Sequence, residues 1–220
     1  MTNRRERSPI LDRFYSRYLN DEDSASFIAS VCGAYTIGTL ERLGVGGSRV
    51  TRRAAILALG FVGDYSQNAI LGTSLSDPDR AVRLLADHGI RQLWFRVSDQ
   101  VVRQRLAYLA RLNARGHYYE AMDVACDLIG EDPLLAETRH QRALAFYAQG
   151  LFADAALDCQ AAADINPYHF PAILTEAHCH IQLDDSVSAL QSFRRALAIY
   201  PDLENVRAHV RQLERSIEDR

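Results

Sequence analysis

From Val102 onward the chain repeats itself every 34 residues, three times over, without an insertion. Gly116, Gly150 and Asp184 stand one period apart, as do Tyr118, Phe152 and Ser186, then Ala121, Ala155 and Ala189, then Pro133, Pro167 and Pro201. A period of this length marks one supersecondary unit that cannot bury its apolar face alone and must stack on its neighbours. Each recurrent residue type has a task within a helical hairpin. The glycine ends a first helix and accepts a positive φ in the turn. The aromatic residue two places on starts the second helix and fills the gap beneath it. The alanine lets two helix backbones approach, and the proline stops the second helix after Asp132, Asn166 or Tyr200. Small residues also recur where the first helix packs, at Ala143 and Ala177, with Leu109 in the first unit.

The agreement of several offsets in one register resembles the tetratricopeptide repeat, with units at 102–135, 136–169 and 170–203. The family's Trp-Leu-Gly in the first helix is missing. The third unit carries Asp184 and Ser186 in place of the turn glycine and aromatic, so its turn is expected to be looser. After Pro201, Leu203, Val206, Val210, Leu213 and Ile217 form one apolar stripe at helical spacing, as a C-terminal capping helix over 204–220 requires.

Residues 24–97 follow a different period. Arg52-Arg53-Ala54-Ala55 aligns with Arg83-Leu84-Leu85-Ala86 at an offset of 31, and an apolar helix is expected upstream of each, over 24–43 and 65–75. The stretch Asp77 to Arg96 reads as one helix with Pro78 near its start. These stretches resemble short bacterial HEAT repeats. That resemblance implies a ladder in which Asp77 or Asp79 bonds Arg52 and Arg83. Because only Val97-Ser98-Asp99 separates the two arrays, Trp94 and Phe95 are expected to wedge the first against the second. Ahead of it, residues 1–23 make an N-terminal cap. Ser8 and Pro9 start its helix, Ile10, Leu11, Phe14, Tyr15 and Tyr18 are its stripe, and an acidic break follows. The expected fold is therefore all-α: a right-handed α-α superhelix of HEAT-like, then tetratricopeptide-like hairpins (98–203), with the capping helix last.

Composition excludes several functions. With 48% hydrophobic residues the chain can bury a core, and its net charge of −3 argues against a general nucleic-acid binder. Thirteen arginines against ten acids up to residue 98 give way to twelve against eighteen beyond it. The four cysteines include no CxxC pair and read as small buried residues of a reducing compartment. The N-terminus is too charged for a secretory signal, and no apolar run approaches the roughly 18 residues of a membrane span, so a cytoplasmic protein is expected. His178 and His180 diverge at i, i+2. Glu137 and His140 have the i, i+3 spacing of di-iron bundles, but no second such pair or further carboxylates accompany them. The loop Gly44–Arg49 lacks the strand and lysine of a nucleotide site. No metal, cofactor or catalytic residue is expected.

The family resemblance implies a concave face built from about positions 2, 5, 9 and 12 of each first helix. Here these are Arg103, Leu106, Ala110 and Asn113; Glu137, His140, Leu144 and Tyr147; and Pro171, Leu174, His178 and Ile181. Such a face suits an extended peptide or an amphipathic helix of a protein partner. The family's best-known site clamps a peptide carboxylate with Lys, Asn and Arg. This chain has no lysine, and Leu106, Ala110 and Leu174 occupy matching positions, so a chaperone-tail adaptor is not expected. The rival readings are a nucleic-acid-binding solenoid and, by the HEAT resemblance, a bilin-handling protein similar to phycobilin lyases.

Overall fold

The computed structural model describes residues 9–96 and 99–218. Among them are thirteen α-helices, one 3-10 turn and no strand. They form two compact units that meet in sequence between Leu93 and Trp94. The expected cap at Ser8 lies outside the described residues.

The first unit contains α1 (Ile10–Asp21), α2 (Ser24–Ala34), α3 (Ile37–Gly46), α4 (Arg49–Val62), the 3-10 turn Tyr65–Gln67, α5 (Asn68–Ser74) and α6 (Arg80–Leu93). Helix α4 is its centre: every residue from Ala54 to Gly60 is buried, and α1, α2, α3, α5 and α6 all pack on it. Small side chains make this possible. A Cβ placed on Gly89 would lie 2.9 Å from the Cα of Gly60, so α4 and α6 meet backbone to backbone. Of the cap stripe, Leu11 and Tyr15 are buried and Ile10 is exposed.

Three helices are shorter than the sequence suggested. The one expected over 65–75 opens as the 3-10 turn Tyr65–Gln67 and is α-helical only over Asn68–Ser74. The expected helix over 24–43 is broken at Tyr35 and Thr36. The Thr36 hydroxyl accepts from the Thr39 amide to cap α3, and the Tyr35 hydroxyl accepts from the Leu11 amide at 3.1 Å. Helix α6 starts at Arg80 rather than Asp77, because Asp79 takes the capping position and accepts from the Ala81 amide. It ends before Trp94. The arginine ladder is present with changed partners. Arg52 forks onto Asp77 (2.9 and 2.9 Å) and Arg53 onto Asp79 (2.7 and 3.0 Å), whereas Arg83 donates to the backbone carbonyl of Asp77.

The second unit runs α7 (Gln100–Ala114), α8 (Tyr118–Glu131), α9 (Ala136–Ala148), α10 (Phe152–Ile165), α11 (Phe170–Gln182), α12 (Ser186–Ile199) and α13 (Glu204–Glu218). Each helix packs on the next, and α9 also touches α7 and α11. Asp99 caps α7 by accepting from the Val101 and Val102 amides. The periodic alanines 121, 155 and 189 are fully buried, as are Ala143, Ala177 and Leu109.

The three hairpin turns carry the same bonds one period apart. The amides of Gly116, Gly150 and Asp184 donate to the carbonyls of Asn113, Tyr147 and Ile181. The amides of His117, Leu151 and Asp185 donate to those of Leu112, Phe146 and His180. The third turn is therefore no looser than the others. Asp184 takes the left-handed conformation itself (φ 58°, against 78° and 75° at the glycines), and Asp185 caps the next helix by accepting from the Ser188 amide. The capping helix packs Leu203, Val206, Val210 and Leu213 around Phe193, Leu174 and Ile181.

Candidate functional site

Of the residues expected to line the concave face, Leu106 is fully buried in the core it shares with Leu109, Leu112 and Ala121. Leu174 and Ile181 pack under α13, and His178 meets Phe193 and His209 edge-on, at 5.2 and 5.7 Å between ring centres. Burial first, and His209 second, pull His178 below the ordinary histidine range. Five residues keep accessible surface on the first helices of the first two units: Arg103, Ala110, Asn113, Leu144 and Tyr147. Tyr147 is held edge-on against Phe152 at 5.2 Å. Asn113 donates from Nδ2 to the carbonyl O of Gln141 (2.7 Å) and to its Oε1 (2.9 Å), which ties α7 to α9.

Glu137 and His140, expected on that face, are instead buried in a polar cluster with His169, at 4%, 7% and 0% exposure. Helix α9 brings Glu137 and His140 to one side, and His169 enters from the position that starts α11. The Glu137 carboxylate accepts from Gln141 Nε2 at 2.7 Å and from His169 Nε2 at 2.8 Å. The other ring nitrogen of His169 accepts the Ala172 amide at 3.2 Å, so His169 both caps a helix and holds a carboxylate. Trp94 lies flat on the His169 ring, 4.2 Å between centres and 14° between planes. Burial alone would push the Glu137 carboxyl up. The imidazoles of His140 and His169 outweigh it and hold the group well below the usual carboxylate range. Burial lowers His169, against the opposing pull of Glu137. One donor atom from each of Glu137, His140 and His169 lies within 4.8 Å of the others.

Sequence reasoning noticed two of these residues and missed the third, which stands 32 residues beyond Glu137. A signal existed. The positions one period either side of His169 are Leu135 and Leu203, so a polar residue replaces an apolar one at a packing position.

The cysteines divide. Cys159 and Cys179 are buried, but Cys32 and Cys126 are exposed, contrary to the reading of all four as core residues. Burial pushes the Cys179 thiol up to about 11, and that of Cys159 higher still, which removes both as thiolate nucleophiles. No described helix is long and apolar enough to cross a membrane.

No family model matches the chain, and no curated protein matches it. Among solved structures, the chain is similar to the first TPR of Spaghetti (RPAP3) bound to the HSP90 peptide SRMEEVD. The TM-score is 0.52 and the identity 21%, over 56% of this chain and 97% of that one. The likeness is one of fold: this is an all-α, tetratricopeptide-like helical-repeat protein.

Proposed function

We propose that the second unit is a non-catalytic protein-interaction module. It takes an extended peptide or a helix of a partner protein along the face of α7 and α9. The observation that carries this reading is the direct succession of first helices, α7 on α9 and α9 on α11, within a stack of period-34 hairpins. Such a succession leaves a preformed trough whose walls need little ordering when a ligand arrives. Arg103, Ala110, Asn113, Leu144 and Tyr147 give it a mixed apolar and polar lining. The peptide held by the structurally similar TPR domain supports the reading. With Leu174 and Ile181 under α13, the trough is centred on the first two units rather than all three. The first unit is then a HEAT-like flank, a reading supported by the Arg52–Asp77 and Arg53–Asp79 forks.

The test is selection of peptides from a displayed random library on the full chain, followed by calorimetry. Leu144→Glu and Tyr147→Ala are expected to weaken selected ligands at least about tenfold, a loss of roughly 1.4 kcal/mol. Leu134→Glu, at a position 73% exposed between α8 and α9, should leave them unchanged. Selected peptides that bind both trough variants as tightly as the parent would overturn the assignment.

A further inference from the structure

We propose that Glu137, His140 and His169 form a binding site for a divalent first-row transition metal ion. The Thr175 hydroxyl donates to the Pro171 carbonyl at 3.0 Å, so toward His140 Nε2, 3.4 Å away, it can only accept. The Nε2 side of the His140 ring is thus turned to Thr175, and its Nδ1 faces the cluster. That Nδ1 is buried and makes no hydrogen bond, and the nearest carboxylate oxygen, Glu137 Oε1, lies 3.8 Å away. A buried ring nitrogen without a hydrogen bond and a carboxylate oxygen thus face one another inside a shielded cluster, a position that a cation bound to both would complete.

The donor set fits a metal. Two imidazoles and one carboxylate suit Zn²⁺, Co²⁺ or Fe²⁺ rather than Mg²⁺ or Ca²⁺, which take oxygen ligands. Gln141 Nε2 holds Glu137 Oε1 as an outer partner. His169 Nε2, now donating to Glu137 Oε2, must present a lone pair to bind. Its proton then moves to Nδ1 of the same ring, and no proton leaves the cluster. This gives up the bond from the Ala172 amide and sets Nδ1–H against that N–H, so the ring must turn as the ion binds; the amide is already shared with the His169 carbonyl oxygen at 3.1 Å, and the start of α11 keeps a bond. Closing donor atoms spread over 4.8 Å around one ion requires shifts of an ångström or so, within the reach of side-chain rotation.

The chain supplies its own reporter. Its single tryptophan, Trp94, is stacked on His169, so a paramagnetic ion on that imidazole quenches its fluorescence. The experiment adds Co²⁺ to chelator-stripped full-length protein, both folded and during refolding, because the cluster is closed to solvent. The expected result is Trp94 quenching that saturates at one ion per chain, accompanied by visible cobalt absorption, with Zn²⁺ reversing both. Glu137→Gln and His140→Gln should each weaken binding at least a hundredfold with helical circular dichroism retained, and His178→Gln should not. Two results overturn the proposal. One is the absence of any stoichiometric quench in the parent. The other is binding undiminished in both cluster variants, which would place the ion on surface histidines. If both variants fail to fold, the parent's quench and absorption decide the matter alone.

Discussion

The two units bury their helices in different ways. In the first, five helices close around α4, whose Ala54–Gly60 segment has no exposed residue. In the second, burial passes from each helix to the next, and no helix is enclosed by all the others. Their polar groups follow the same division. The first unit keeps its charges at the edge, as Arg–Asp forks with Arg52 and Arg53 side chains 19% and 30% exposed. The second has such a fork too, Arg142 on Asp158, and in addition places a carboxylate and two imidazoles inside. A closed centre leaves no room for a polar cluster, so ionic contacts go to its rim. A stack has an interior seam at every hairpin, and one such seam here is polar, held by the bonds of Glu137 to Gln141 and His169.

Three measurements press on this contrast. The largest effect is expected at Trp94, 2% exposed and stacked on His169. Trp94→Ala should cost about 3 kcal/mol, read by hydrogen exchange as lost protection in α9 and α11. A loss confined to the frayed ends of those helices would mean that the ring is not part of the seam. Next comes Gly89→Ala. Its new methyl would meet backbone of α4 that cannot rotate away, so about 2 kcal/mol should be lost from α4 and α6 in the same exchange experiment. Unchanged protection there would refute the backbone-to-backbone crossing.

The smallest effect is on pH. The folded pKa of His178 is depressed, so the stability it contributes is present above the unfolded value of about 6.5 and lost as pH falls through that region. Asp79 is also depressed, chiefly by its hydrogen bond with Arg53, so its contribution persists until pH falls below about 3.9. Acidification from pH 7.5 to 5.5 should therefore loosen α11–α13 and leave the turn between α5 and α6 intact. The opposite order would break the comparison.

Where the sequence repeats, the structure was legible to the residue. The prolines marked the ends of α8, α10 and α12, the alanines the tight crossings, and the apolar stripe after Pro201 the face of α13. The apolar content of 24–43 hid a break because Tyr35 and Thr36 interrupt it through hydrogen bonds with Leu11 and Thr39, neither of which periodicity records. Asp184 misled for a related reason. Glycine is preferred where φ is positive, but an aspartate can adopt that conformation when the flanking bonds hold the turn. Exposure on the candidate face was not legible. Leu106, Glu137 and His140 are buried, and whether such a residue meets solvent or a neighbouring side chain depends on distant partners such as His169.

The identity of the three turn geometries has a consequence for how such a chain can change in length. Each joint accepts a first helix and delivers a second with the same pair of backbone bonds, whether glycine or aspartate sits at its bend. At the turns, whole hairpins are thus interchangeable, and what singles out one pair is its seam, as the bond from His169 to Glu137 does. Duplication or deletion in multiples of the period preserves every joint, whereas the enclosed α4 forbids the same editing in the other unit.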